Sequence, residues 1–78
     1  MNRNGGPRQG RASEDVAARI LDAFYSEGLQ PGEWLGTEAE LAERFSVSRV
    51  TIRDAVSALA ARGLIDVKAR KIVPLFAD

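Results

Sequence analysis

The residues in this chain best equipped for chemistry lie in one short run: Ser48, Arg49, Val50, Thr51 and Arg53. Arg49 and Arg53 stand four positions apart, which on a helix makes them neighbours, and two like charges at that spacing repel unless something anionic lies opposite. A guanidinium is the side chain best suited to a bidentate bond with guanine O6 and N7, and Val50 can touch a thymine methyl. Ser48 and Thr51 can hold phosphate through their hydroxyls, supported by a helix N-terminus. That combination fits contact with the major groove of duplex DNA. A solvated pair of surface arginines is the plainer alternative.

For these groups to act together they must open a helix. Ser48 is placed to cap one, Ile52, Ala55, Val56 and Leu59 repeat at intervals of three and four, and Gly63 closes it, so the spacing predicts helix three over about 48–62. At about 100° per residue, that apolar direction leaves Val50, Asp54 and Ser57 pointing away from the core, with Arg49, Thr51 and Arg53 on the flanks. Helix two is expected over 37–45. Thr37 precedes Glu40 by three residues in a capping box, and Leu41, Ala42 and Phe45 form one face. Ser46-Val47-Ser48 separates the two, the spacing of a helix-turn-helix, although helix packing without DNA is equally compatible with it.

The remaining elements follow from the same signals. Ser13 offers an N-cap, Glu14 and Asp15 suit a first turn, and Val16, Ile20, Leu21 and Phe24 recur at helical spacing, so helix one runs from Ser13 to near Gly28. Pro31-Gly32 forbids its continuation, and Glu33-Trp34-Leu35 is too short for more than a strand stub. Residues 64–68 and 71–75 are β-prone runs around Ala69-Arg70, forming a hairpin whose Pro74 must lie at an edge or beyond the strand end. The expected fold is mainly α with a small β-hairpin, a three-helix winged helix-turn-helix. Its core joins Leu41, Phe45, Ile52, Val56 and Leu59 to Ile20 and Phe24. Leu75-Phe76 reads either as the start of a further domain or as a hydrophobic edge over the hairpin.

Composition limits what such a unit can do. At 78 residues the chain is one domain, and its 45% hydrophobic and 28% charged residues place it with folded proteins and not with disordered ones. A domain of this size has little depth for a buried catalytic pocket. It has no cysteine and no histidine, which removes thiol nucleophiles, thiolate zinc sites and the commonest general base. Enzymatic activity, metal and cofactor are therefore not expected. No apolar run is long enough to span a membrane.

Net charge is zero, yet the charges are sorted along the chain. Arg3, Arg8 and Arg11 stand without an acid in the first thirteen residues. Glu14, Asp15, Asp22, Glu27, Glu33, Glu38, Glu40 and Glu43 then face only Arg19. From Arg44 onward, seven bases meet Asp54, Asp66 and Asp78. A basic second half can face phosphate while the acidic first half faces away. Residues 1–12 have no apolar period and read as a flexible basic arm, or as a plain disordered leader; the domain proper is expected over 13–78.

The segments Leu29-Gln30-Pro31-Gly32-Glu33-Trp34-Leu35, Thr37-Glu38-Ala39-Glu40-Leu41-Ala42-Glu43-Arg44-Phe45, Val47-Ser48-Arg49-Val50-Thr51-Ile52-Arg53-Asp54-Ala55-Val56 and Arg62-Gly63-Leu64-Ile65 occur in that order. In this the chain resembles the DNA-binding domain of GntR-family bacterial transcription regulators, from about Val16 to Lys68. The resemblance implies a winged helix that binds double-stranded operator DNA as part of a homodimer. It places Ser48, Arg49, Val50, Thr51 and Arg53 at operator-contacting positions, with Arg70 and Lys71 in the wing. It also implies a cytoplasmic, nucleoid-associated bacterial protein. The family's small-molecule effector would act only through a larger C-terminal domain, which this chain, ending at Asp78, does not include. Two departures stand out: the wing tip Ala69-Arg70-Lys71 has no glycine, and Ala39 occupies a position that is often basic in the family. A second reading, from the residues, is a winged-helix protein-interaction module using the acids Glu27, Glu33, Glu38, Glu40 and Glu43 as its contact face.

Overall fold

Val16, Ile20, Ala23 and Phe24 recur at three and four positions and are all buried, so one stripe of the first helix is committed to the interior. The computed structural model describes residues 6–76, with side chains from Ala12 onward. Its elements in chain order are α1 (Gly6–Glu27), β1 (Gly36–Thr37), α2 (Glu38–Phe45), α3 (Arg49–Ala61), β2 (Ile65–Lys68) and β3 (Lys71–Pro74). The buried stripe of α1 meets Ile52, Ala55, Val56 and Leu59 of α3 and Leu41 of α2, and Ile65 and Ile72 of the hairpin close the same cluster. Phe45 packs against this core while remaining half-buried.

Local chemistry sets most of the boundaries. Glu40 N–H donates to Thr37 Oγ1 at 3.1 Å and Thr37 N–H donates to Glu40 Oε1 at 2.9 Å, the reciprocal pair of a capping box. Gly28 and Gly63 follow α1 and α3 at φ of +65° and +76°. At each, the next residue donates its N–H back to close the helix, Leu29 to the Phe24 carbonyl at 3.0 Å and Leu64 to the Leu59 carbonyl at 3.1 Å. Ser46 performs the same service for α2 with φ 57°, and Val47 N–H reaches the Ala42 carbonyl at 3.0 Å.

Two expectations about the first half need correction. Helix one does not begin at Ser13: α1 starts at Gly6, so the part of the expected flexible arm from Gly6 onward is helical, while residues 1–5 lie outside the described residues. Pro7 suits a first helical turn, where its missing N–H costs no bond, and Arg8, Gln9, Arg11 and Ala12 are good helix formers. The strand stub also lies later than Glu33-Trp34-Leu35. Gly36 and Thr37 pair antiparallel with Ile72 and Lys71, making a three-stranded sheet in the order β1-β3-β2. Gly36 is buried, and a Cβ there would meet Glu40 Oε1 at 3.1 Å, a tight contact that would press on the capping carboxylate.

The hairpin registers Ile65 with Pro74 and Lys68 with Lys71, leaving Ala69-Arg70 as a two-residue loop. Both loop residues have positive φ, 51° and 67°, as a type I′ turn demands. This answers the absence of glycine: the turn forms from two residues that pay for left-handed backbone. Leu75 N–H donates to the Leu64 carbonyl at 3.0 Å, which puts the Ile65–Pro74 pair at a position without hydrogen bonds to β2. On its other side β1 pairs only with Lys71 and Ile72, so the chain has an edge at Pro74 and the missing N–H is tolerated. Phe76 turns onto α1, its ring 5.8 Å from Phe24 edge-on and 5.4 Å from Tyr25.

Candidate nucleic-acid interface

The first turn of α3 is built by Ser48. With φ −74° and ψ 160° it stands outside the helix, and its Oγ accepts the Thr51 N–H at 3.1 Å. Thr51 Oγ1 lies 2.9 Å from the same Ser48 oxygen, and the Thr51 side chain is only 6% exposed. Thr51 is thus not the outward phosphate ligand expected of it. Its hydroxyl is turned inward onto the cap, because the α3 stripe rotates far enough to include position 51 beside Ile52 and Ala55.

Arg49, Val50 and Arg53 all face solvent, Val50 at 53% exposure. The three side chains thus lie together on the solvent face of the first turns of α3. Asp54 and Ser57 continue the exposed side.

A groove of about 490 Å³ brings the elements together. It is lined by Thr37, Glu38 and Ala39 from the start of α2, Arg49 and Arg53 from α3, and Val67 and Arg70 from the hairpin. The helix and wing arginines proposed from the sequence thus open onto one concavity. Inside it, Arg53 Nε lies 3.8 Å from Glu38 Oε1. Arg49 makes no ion pair among the described residues.

Lys71 is separated from this group. Its Nζ lies 4.1 Å from the centroid of the Trp34 ring, and with Lys68 it lines the opposite side of the hairpin. Within β2, alternation sends Val67 to the groove and Lys68 to the opposite side with its cross-strand partner Lys71, while Arg70 leaves from the left-handed turn. Glu38 and Val67 line the groove although sequence reasoning did not assign them to it. Glu38 had a signal available: in a helix-turn-helix the start of the second helix lies near the first turns of the third.

The acids expected to form a protein-contact face are mostly engaged locally. Glu27 pairs with Arg44, Glu33 Oε1 accepts the Gln30 N–H at 2.8 Å, Glu38 faces Arg53, and Glu40 completes the capping box. Among the described residues no cluster of acids can hold a metal ion, and no helix is long and apolar enough to cross a membrane.

Comparison with known proteins gives a consistent match. The family model described as bacterial regulatory proteins, gntR family, matches residues 12–72. An HTH-type transcriptional regulator of Mycobacterium tuberculosis is 37% identical over 62 residues, 80% of this chain and 26% of that protein. The Uxu operon transcriptional regulator of Escherichia coli is 36% identical over 58 residues, 74% of this chain and 23% of that protein. The solved structure of GntR from Streptococcus agalactiae superposes with a TM-score of 0.71 at 34% identity, covering 81% of this chain and 32% of that one. The chain spans about a quarter of the length of the curated relatives it matches.

Proposed function

This chain belongs to the gntR family of bacterial regulatory proteins, and on that footing we propose that it binds double-stranded operator DNA sequence-specifically, as the DNA-reading module of a transcription regulator. Helix α3 enters the major groove and the β2–β3 hairpin acts as the wing. Arg49 and Arg53 read base edges, with Val50 available to a thymine methyl. Ser48 holds the helix start at the backbone, and Thr51 acts through it. Arg70 supplies the wing's contact with phosphate or the minor groove. The role is binding and not catalysis.

One observation carries this: Arg49, Arg53 and Arg70 from two separate elements line the same groove. Three cations against the single carboxylate of Glu38 leave the groove with a positive excess, which favours an anionic partner. In its full-length context the protein acts as a homodimer in the cytoplasm, on the nucleoid, with a small-molecule effector bound by a separate domain. A two-fold pair of modules then meets two half-sites about one helical turn, or a multiple of it, apart.

The deciding experiment is selection of bound duplexes from a random pool, using this chain alone and fused to a dimerising segment. Recovery of a common half-site by the single chain, and of a two-fold repeat by the fusion, supports the reading. Binding that is indifferent to salt would refute it, because phosphate contacts release counterions.

A further inference from the structure

We propose that Glu38 is a specificity-determining residue that positions Arg53, sharpening sequence discrimination while lowering affinity for DNA in general; this rests on the DNA-binding function above. An acid on a surface meant for a polyanion is unfavourable unless it has a task. Capping at this helix start falls to Glu40 with Thr37, and the helix dipole favours Glu38 in the first turn without fixing where its carboxylate points. Glu38 instead turns into the groove shared by Arg49, Arg53 and Arg70. Its side chain is 27% exposed while that of Arg53 is 65% exposed, so the acid lies behind the guanidinium and the guanidinium leads toward solvent.

The contact has a useful geometry. Glu38 Oε1 approaches Arg53 at Nε, 3.8 Å away, within ion-pair range and beyond hydrogen-bond length. A carboxylate at Nε leaves both Nη groups for guanine O6 and N7, so the pair and a base contact can coexist. A phosphate competes differently. It carries the same charge as Glu38, and drawing Arg53 aside to a backbone oxygen means leaving one anion and meeting another. Non-specific binding is almost wholly phosphate electrostatics. Glu38 therefore weakens it more than it weakens the base-specific complex.

The test uses the full chain and a duplex recovered from a random pool, titrated beside a scrambled duplex at several salt concentrations. Wild type, Glu38→Gln, Glu38→Ala, Arg53→Ala and the double variant Glu38→Gln with Arg53→Ala are compared, with thermal unfolding of each. Both Glu38 variants should bind the scrambled duplex about threefold to tenfold more tightly and gain less on the selected one, so that the ratio between them narrows. In the Arg53→Ala background, Glu38→Gln should leave the ratio unmoved. An unaltered ratio in the single variants, a parallel loss on both duplexes, or the same narrowing without Arg53 would each overturn the assignment. Wild type showing no salt-dependent duplex binding would remove the DNA-binding function and this inference together. Wild-type binding with an unmoved ratio would remove only the inference.

Discussion

Lys71 Nζ lies 4.1 Å from the centroid of the Trp34 ring, so the second base of the wing tip is turned onto the loop before β1 while Arg70 opens toward α3. Adjacent cations of one hairpin thereby have different surroundings. Arg70→Ala should weaken binding to selected and scrambled duplexes nearly alike and lower the salt slope by about one. Lys71→Ala should leave the DNA affinity close to wild type and instead lower stability by about 0.5–1 kcal/mol, the scale of an exposed cation–π contact. Salt-dependent titrations paired with urea unfolding check both, and a Lys71→Ala variant that lost binding as strongly as Arg70→Ala would contradict the division.

The Ser48 cap supports α3 from outside the helix and should be worth measuring alone. Ser48→Ala removes the acceptor of the Thr51 N–H and strands the buried Thr51 hydroxyl. The loss should be about 1–2 kcal/mol, toward the upper end of the cap range because two groups lose their partner at once. Urea unfolding of Ser48→Ala and Ser48→Thr separates the cap from the hydroxyl count. Threonine should restore most of the stability.

How far the sequence carried depends on the range of the interaction concerned. The capping box at Thr37 and Glu40, the Ser48 cap and the glycines after α1 and α3 were legible because each involves residues within a few positions of one another. The apolar repeat of α3 identified its buried face for the same reason. β1 was not legible at Gly36–Thr37, since two residues become a strand only through pairing with Ile72 and Lys71, far along the chain. Thr51 was misplaced because a helical wheel alone does not say how wide the buried stripe is; contact with neighbouring helices decides that. The base-bearing residues Arg49, Arg53 and Arg70 were legible by type, but their shared groove, and the presence of Glu38 within it, needed the crossing of α2 and α3.

Leu59 is fully buried at the centre of α3, among residues of all three helices. Leu59→Ala should cost about 2–5 kcal/mol, from lost burial and the cavity left behind. For a domain this small that is a large share of the whole stability. Thermal unfolding indistinguishable from wild type would mean that the buried face of α3 had been assigned to the wrong rotation.

The wing turn offers a change in the opposite direction. Ala69 has φ 51°, a left-handed conformation that costs an alanine about 1 kcal/mol and that asparagine adopts more readily. Ala69→Asn should therefore raise stability by about 0.5–1 kcal/mol without altering charge. Denaturant midpoints report it, and a fall in stability would show that the loop is not held as a type I′ turn.

The sharpest distinction is between the residues that read and those that hold. Arg49 and Arg53 are exposed on the first turns of α3, beside Val50 and in the groove that Arg70 shares. If each meets a guanine edge, Arg49→Ala or Arg53→Ala should cost about 1–3 kcal/mol on the selected duplex and relax preference at particular base pairs, because a lost bidentate contact concerns one base. The scrambled duplex should lose much less, in proportion to one charge. Repeating the random-pool selection with each variant identifies the relaxed positions directly. Arg49 and Arg53 are about one helical turn apart, so their relaxed positions should be different but neighbouring base pairs. Equal loss on both duplexes for Arg49→Ala, together with altered base preference for Arg70→Ala, would make the helix the anchor and the hairpin the reader, and would invert the assignment of recognition to α3.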